Sequence, residues 1–230
     1  MRKLLNRLLL PTGYRIERLS RFRTELDRLL QRGTPLKSVQ IGANDGVRFD
    51  DLYPIVTNGP FRGIVVEPLP DLYERLQLNY AGHPQIIPIN IAVHEHERAL
   101  PLYRVSPPAL PRYAGWAAGI ASFDREHLIR HGIDAHDIVA VEVQCEPLMS
   151  LLRRTDMLDV DLLQIDTEGY DVAIVGMIDF ALSRPQLIKF EHKNVDARTY
   201  GDTLRRLQTN GYRCSRDGSD TVCALSRLSR

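Results

Sequence analysis

The sequence predicts an α/β fold, with a Rossmann-like, mostly parallel sheet and helices between its strands. Three features predict it: short apolar runs that each end in polar residues, helical segments between those runs, and a glycine-containing loop after the first run. Strands that alternate with helices form parallel sheets through right-handed crossovers. At 230 residues the chain suits one such domain, and no internal repeat argues for more.

A basic extension, residues 1–36, precedes the domain, which we place at 37–230. Residues 1–37 carry ten Lys or Arg and three acidic residues, a net +7 that leaves about −6 for the remainder of a chain whose total is +1. The apolar residues of 14–31 recur on one face and predict an amphipathic helix. We expect this helix to cover an edge of the domain or an oligomer contact, and docking to a membrane surface or a partner protein is the alternative.

Composition excludes several classes of function. The near-neutral total charge gives no reason to expect nucleic acid as a partner. Residues 1–10 are too short and too charged to span a bilayer or to act as a secretory signal. Cys145, Cys214 and Cys223 lack CxxC spacing, so we expect incidental thiols in a cytoplasmic protein, either free or associated with the cytoplasmic face of a membrane.

Four apolar runs are each followed by polar residues at their C-terminal end. They are Lys37–Ile41 before Gly42–Gly46, Gly63–Val66 before Glu67-Pro68, Asp161–Ile165 before Asp166–Asp171, and Leu187–Phe190 before Glu191–Asn194. Residues 70–81 predict a helix, and residues 86–93 predict a further strand. Because the carboxyl ends of parallel strands form the ligand crevice, Asp166 and Glu168 are candidates for an active site.

The loop after the first strand decides between cofactors. It reads Gly-Ala-Asn-Asp-Gly over 42–46, whereas a dinucleotide fold requires G-x-G-x-x-G so that the backbone can approach a pyrophosphate. Asp45 would repel a phosphate, and the loop suits a ligand with an ammonium group instead, such as the methionine part of S-adenosylmethionine. Glu67, 21 residues beyond Gly46, can accept hydrogen bonds from both hydroxyls of a ribose, a feature that NAD enzymes share.

These segments resemble the FkbM-type S-adenosylmethionine-dependent methyltransferases over residues 38–194. The resemblance rests on Gln40–Gly46, Val66-Glu67-Pro68, Asn90–Val93 and, above all, Ile165–Asp171. It implies the class I methyltransferase fold, a seven-stranded, mostly parallel sheet with the last strand antiparallel. Two strands over 211–216 and 221–226, joined at Asp217-Gly218, fit the closing hairpin.

The resemblance also implies a set of cofactor-binding residues. They are Gln40, Gly42, Ala43, Asn44, Asp45, Gly46, Glu67, Pro68, Asn90, Ala92, Asp166 and Thr167. The family often has an acid where this chain has Gln40, and its acceptor is usually a hydroxyl on a sugar, glycolipid or natural product. We expect the adenine ring near residues 90–93.

Residues 97–146 form the region where we expect the acceptor to be selected. Two predicted strands, 100–105 and 138–145, flank a loop rich in Pro and Gly that carries Trp116, and long insertions at the carboxyl edge of a sheet commonly form lids. Trp116, Ser122, Glu168 and Tyr170 are our candidates for contacts with the acceptor. Plain packing within the loop is the alternative for Trp116.

Methyl transfer to oxygen requires an aligned acceptor and a base for its proton. The catalytic candidates are His192, Asp166 and Glu191, at the ends of predicted neighbouring strands, and His192 has the intrinsic pKa best suited to neutral pH. The same three side chains would hold Mg²⁺ if the enzyme uses a metal. The alternatives are that the carboxylates contact the cofactor, the acceptor or backbone amides, and that His192 only donates or accepts a structural hydrogen bond.

The leading hypothesis is therefore an S-adenosylmethionine-dependent O-methyltransferase acting on a saccharide, a glycolipid or a related small molecule. An NAD-type oxidoreductase is the first alternative, against which the sequence of the 42–46 loop argues. A non-catalytic adaptor that retains the fold and docks through its basic extension is the second.

Overall fold

The computed structural model describes residues 20–48, 50, 52–96 and 98–226, which form eleven strands and seven α-helices. The strands are β1 (Leu36–Ile41), β2 (Phe61–Val66), β3 (Ile86–Ile89), β4 (Ala92–Val93), β5 (Ala99–Val105), β6 (Ala121–Ser122), β7 (Ile138–Glu146), β8 (Leu162–Ile165), β9 (Leu187–Glu191), β10 (Tyr212–Asp217) and β11 (Asp220–Leu225). The helices are α1 (Arg21–Leu30), α2 (Tyr53–Asn58), α3 (Pro70–Tyr80), α4 (Arg125–Arg130), α5 (Leu148–Arg154), α6 (Asp171–Gly176) and α7 (Ala197–Thr209). Short 3₁₀ helices cover Pro107–Arg112, Gly115–Ala118 and Ala135–Asp137.

Seven strands form the main sheet in the spatial order β3-β2-β1-β8-β9-β11-β10. The pairs β3-β2, β2-β1, β1-β8 and β8-β9 are parallel, whereas β11 runs antiparallel to both β9 and β10. The Rossmann-like class I fold with an antiparallel last strand is therefore confirmed. All five carboxyl ends of the parallel strands lie at one edge, where the predicted site residues follow them.

Helices cover both faces of this sheet, so its central strands are apolar on both sides. All six residues of β1 are buried. Val39 and Ile41 pack in one cluster with residues of α5, α6 and α7, and Leu36 packs in the other with residues of α1, α2 and α3. Burying one such side chain contributes roughly 1.5–3 kcal/mol, which fixes strand positions firmly.

The expected strand over 86–93 divides between two sheets. Residues 86–89 pair with β2, whereas Ala92 and Val93 pair with β7 in a second sheet of order β4-β7-β5-β6. Asn90 interrupts the run because its side-chain amide donates to the carbonyl oxygens of Glu67 (2.8 Å) and Pro68 (3.0 Å) instead of continuing a regular strand. The prediction of one continuous strand was wrong at this point.

The second sheet contains the predicted strands of the 97–146 region, observed as β5 and β7. These strands pair antiparallel along their length from Ala99↔Gln144 to Val105↔Ile138, and β4 joins the sheet to the main fold. The second sheet therefore stands next to the carboxyl edge of the main sheet.

The described part of the N-terminal helix packs against the main sheet. Phe22, Leu26 and Leu29 are buried in a cluster with strand residues, and the Phe22 backbone N–H donates to the Asp217 carboxylate at 3.0 Å. The earlier part of the expected helix, residues 14–19, lies outside the described residues. Within the described ranges, no helix has the length and apolar character needed to cross a membrane.

Cys214 and Cys223 occupy directly opposite positions on β10 and β11 and form a disulfide. The expectation of free thiols was wrong for this pair, since sequence spacing alone does not show that a hairpin brings them together. Cys145 is buried and free.

Candidate active site

The loop after β1 lies directly against the end of β8. Gly42 has φ +80°, and a Cβ atom there would stand 1.8 Å from the Asp166 carbonyl oxygen. The backbone N–H groups of Gly42 and Ala43 donate to the Val66 carbonyl at 3.0 and 2.9 Å. Glycine is required at position 42 by both the backbone conformation and the contact, so the ends of three strands meet here.

Asp45 braces this loop from within. Its Oδ1 accepts from the backbone N–H groups of Val47 (3.0 Å) and Arg48 (2.7 Å), and the side chain is buried. A Cβ atom on Gly46 would contact Leu76, so Gly46 marks the approach of the loop to α3. The structure thus places both residues away from the cavities described below.

Glu67, at the end of β2, is a buried carboxyl group. It accepts hydrogen bonds from the backbone N–H groups of Asn44 and Leu69, both at 2.9 Å. Burial raises the pKa of Glu67 to about 7, against the opposing effect of these two donors. Each carboxylate oxygen retains acceptor capacity for a ligand hydroxyl.

A cavity opens beside Glu67 between the main and second sheets. Its walls are mostly apolar on the side of Glu67 and polar at the end of β8. Among its lining residues are Gly42, Asn44, Glu67, Pro68, Leu69, Leu72, Ile91, Ala92, Leu102, Phe123, Asp166, Thr167 and Glu168. The wall suits a flat apolar ring next to a group with hydroxyls.

A second cavity adjoins the first. The two share Gly42, Asn44, Gly119, Asp166 and Glu168, and the second is also lined by Gln40, Ala43, Arg48, Asp50, Trp116 and Gln164. We call the first the apolar cavity and the second the polar cavity. Two ligands bound one in each cavity would meet at Asp166 and Glu168.

Asp166 lies among other acids at this junction. Desolvation in the cleft, and then the negative charges of Asp171, Glu168 and Glu191, raise the pKa of Asp166 to about 8. Asp166 is nonetheless an exposed residue that lines both cavities. Burial and the carboxylates of Glu168 and Asp171 raise the pKa of Glu191 to about 7.

Asp171 holds the turn that presents these acids. Its side chain is buried and accepts from the Thr167 hydroxyl (3.0 Å) and the Glu191 backbone N–H (3.1 Å). It also lies within 3.4 Å of the Gly169 backbone nitrogen. Asp171 therefore ties the end of β8 to the end of β9.

Glu168 contacts a histidine from the second sheet region. Its Oε2 lies 3.6 Å from Nε2 of His127 on α4, and His127 is 3% exposed. Glu168 has φ +52°, an uncommon conformation for a residue other than glycine, which neighbouring contacts must maintain. This separation is longer than a hydrogen bond, and His127 Nε2 has no hydrogen-bond partner among the described residues, so His127 packs beside Glu168 without bonding to it.

A family profile described as the methyltransferase FkbM domain matches residues 40–214, about three quarters of the chain. The chain belongs to the FkbM methyltransferase family. No curated protein is similar to it in sequence. The matched range contains the carboxyl ends of β1, β2, β3, β8 and β9 and both cavities described above.

Solved structures are similar to this chain at low sequence identity. The FkbM methyltransferase of Methylobacillus flagellatus KT is 13% identical, with 82% of this chain and 43% of that chain covered and a TM-score of 0.48. Aeropyrum pernix fibrillarin in complex with S-adenosyl-L-methionine is 13% identical, with 83% and 67% covered and a TM-score of 0.42. The human methyltransferase 10 domain containing protein is 10% identical, with 98% and 96% covered and a TM-score of 0.43.

His192 lies outside the two cavities that Asp166 lines. The His192 ring stacks on Tyr200 at a centroid distance of 4.9 Å, and its Nδ1 lies 3.0 Å from the Thr221 hydroxyl. Burial, followed by the charge of Arg216, lowers the pKa of His192. His192 lines neither cavity, and neither does Glu191, the catalytic candidate that precedes it.

Three other predicted site residues, Asn90, Ser122 and Tyr170, contact neighbouring residues and line neither cavity. Asn90 holds the backbone at Glu67 and Pro68, and the Ser122 hydroxyl accepts from the Asp124 N–H at 3.3 Å. The Tyr170 ring stacks on His94 at 4.9 Å, outside the residues that line either cavity. Trp116 and Glu168 do line the polar cavity.

The expectation of a Mg²⁺ site finds no support in the described residues. They contain no group of three or more His, Cys, Asp or Glu side chains arranged to hold a metal ion. The physical reason is the divergence of Asp166, which faces the cavities, from His192, which faces Thr221 and Tyr200.

Sequence reasoning missed several residues that shape the site. They are Asp50, His127, Gln164 and Asp171. Asp171 carried a signal, since an acid at the start of a helix after D-x-E-G can bind the preceding turn. His127 carried no local signal, because only the packing of α4 brings it to Glu168.

Proposed function

We propose that the chain is an S-adenosylmethionine-dependent O-methyltransferase whose acceptor is a hydroxyl of a saccharide, a glycolipid or a related small molecule. The observation that carries the proposal is the buried Glu67 carboxyl group in an apolar cavity that continues past Gly42 to Asp166. That arrangement suits an adenosine group at one end and a reacting centre at the other.

The residues present fit S-adenosylmethionine. Glu67 would accept hydrogen bonds from the ribose hydroxyls, and Leu72 and Phe123 offer apolar surface for the adenine. The loop from 42 to 46 presents no phosphate-binding glycine pattern. When bound, the cofactor supplies a methyl group on a positively charged sulfur, which the acidic junction favours electrostatically.

Asp166 is our candidate for the general base, because it lines both cavities and would face an acceptor hydroxyl between them. A base works best when its pKa lies near the working pH, and desolvation together with the neighbouring acids raises the pKa of Asp166 to about 8. Glu168, which also lines both cavities, would orient the hydroxyl toward the methyl group. Positioning contributes the larger part of catalysis in such a transfer, up to roughly 7–11 kcal/mol for ideal alignment.

Isothermal titration calorimetry of the chain with S-adenosylhomocysteine and, separately, with NADH tests this function. We expect one site for S-adenosylhomocysteine and no heat from NADH. Binding of NADH alone would favour the oxidoreductase, and binding of neither compound would favour the adaptor. Transfer of a labelled methyl group to candidate glycosides would then test the chemistry.

A further inference from the structure

Two glutamine side chains form the floor of the polar cavity. Gln40 on β1 and Gln164 on β8 are direct register partners on parallel strands, so their side chains share one face of the sheet. They are 3% and 6% exposed, and both line the cavity. Farther along the same face these two strands carry the apolar residues Leu36 and Leu162, so buried amides set the cavity end of the strands apart.

Both glutamines have a buried Oε1 atom without a hydrogen-bond partner in the described part of the chain, and so does Oδ2 of Asp50 in the same cavity. An unsatisfied buried polar atom is unfavourable, so native sites of this kind normally meet water or a ligand. Three acceptor atoms in one wall call for a ligand with several hydrogen-bond donors. The glutamine NH₂ groups add donors to the same wall.

A ring with several hydroxyl groups matches this wall. Each hydroxyl donates one hydrogen bond and accepts others, which suits amide groups beside a carboxyl. Trp116 lines the same cavity and is 45% exposed, so it offers an aromatic surface to the apolar face of such a ring. Arg48 in the same wall pairs with Asp45 at 3.6 Å, and the acids Asp50, Asp166 and Glu168 outnumber it, so a ligand with a carboxylate is disfavoured.

We propose that the polar cavity is the acceptor subsite and that Gln40, Gln164 and Asp50 bind the hydroxyl groups of a neutral saccharide ring. The inference rests on the proposed function, since Asp166, shared by both cavities, is where one acceptor hydroxyl would meet the methyl donor. The methionine end of the cofactor then occupies the junction beside Gly42 and not the floor at Gln164.

Trp116 is the only tryptophan in the sequence, so its fluorescence reports directly on this cavity. The full chain, saturated with S-adenosylhomocysteine, is titrated with methyl α-glucopyranoside, methyl α-mannopyranoside and methyl β-galactopyranoside. We expect a saturable fluorescence change with at least one glycoside at concentrations on the order of millimolar, as for a ligand held by a few hydrogen bonds.

The variant Gln164→Leu separates the acceptor from the cofactor. We expect it to weaken the glycoside about tenfold, the loss for a hydrogen bond or two, and to leave the calorimetric affinity for S-adenosylhomocysteine within about twofold. Gln186→Leu is the matched control, because Gln186 lies outside the cavity and its side chain accepts from Arg32. The control should leave both affinities unchanged.

Three results would overturn the subsite. One is the absence of a saturable change with every glycoside while S-adenosylhomocysteine still binds. Another is an unaltered glycoside titration in Gln164→Leu. The third is a loss of S-adenosylhomocysteine affinity in Gln164→Leu as large as the loss for the glycoside, which would assign the floor to the methionine end. Failure of S-adenosylhomocysteine to bind the unmodified chain would instead refute the proposed function.

Discussion

At the scale of single residues, Glu67 offers the sharpest test of the cofactor site. In Glu67→Gln the side chain keeps its shape, but it cannot accept from Asn44 N–H, Leu69 N–H and two ribose hydroxyls at once, because one of its terminal atoms becomes a donor. We expect the affinity for S-adenosylhomocysteine to fall by about tenfold or more, measured by calorimetry. Glu142→Gln, at an exposed position of β7, is the control. An affinity equal to that of the unmodified chain would place the ribose elsewhere.

Asp166 allows a test of the proposed base through its neighbours. Removal of the negative charge in Glu191→Gln should lower the pKa of Asp166, because Glu191 is one of the acids that raise it. For a base, the rate rises with pH through its pKa, so the rising limb of kcat/KM should lie near pH 8 in the unmodified chain and at lower pH in the variant. The measurement is a pH profile with a methylated glycoside as product.

Two controls accompany this profile. Glu142→Gln should leave the rising limb in place, and Asp166→Asn should lower the rate by roughly a hundredfold or more at every pH. A limb that stays at the same pH in Glu191→Gln, or a near-normal rate in Asp166→Asn, would exclude Asp166 as the base. Another candidate, such as Glu168, would then be favoured.

At the scale of elements, the site depends on the contact between the loop after β1 and the end of β8. Gly42→Ala combines a left-handed backbone conformation with a Cβ atom 1.8 Å from the Asp166 carbonyl oxygen. We expect a loss of roughly 2–4 kcal/mol in the free energy of unfolding, since the strands must separate, and weakened cofactor binding. Urea denaturation followed by circular dichroism measures the first effect.

The matched control for Gly42→Ala is Gly132→Ala. Gly132 has φ +83°, but no atom stands within 4 Å of a Cβ built there. It should therefore show only the conformational cost, roughly 1 kcal/mol. Equal losses in the two variants would mean that the approach of the loop to β8 contributes nothing to stability.

The elements themselves could be predicted well, because their signals are local. The helix at α3 follows from the spacing of Leu72, Leu76 and Tyr80, and the strand ends follow from apolar runs that stop abruptly. The break at Asn90 could not be predicted, since it depends on bonds to the carbonyl groups of Glu67 and Pro68 across the sheet.

The direction of each strand-end side chain was the weak point of the site prediction. Asp166 and His192 both follow strands, yet only Asp166 faces the cavities, because alternation along a strand makes the face depend on a shift of one residue. The pairing of His127 with Glu168 depends on tertiary packing alone. The order of the motifs therefore predicted which edge of the sheet carries the candidate site. The positions of the individual acids could be seen only in the packed structure.

At the scale of the whole molecule, the acids at the site link stability to pH. Their pKa values are raised to about 7 for Glu67 and Glu191 and to about 8 for Asp166, from ordinary values near 4. At pH values between the ordinary and the raised pKa values, the folded chain therefore holds more protons than the unfolded chain. By linkage, the folded state is destabilised as pH rises through these values.

The window from about pH 6.5 to 8.5 isolates this effect. The lowered pKa values of His94 and His192 affect stability only below the ordinary value for histidine, and the raised pKa values of tyrosines act only at higher pH. We therefore expect the Tm of the ligand-free chain to fall as pH rises across the window, measured by differential scanning calorimetry.

In Glu191→Gln, which removes one carboxyl group and lowers the repulsion on Asp166, the fall should be smaller, and Glu142→Gln should reproduce the unmodified slope. A Tm that stays constant or rises across the window in the unmodified chain would show that these acids ionise in the folded protein at their ordinary pH, and the crowded junction at Asp166 would then have no energetic cost.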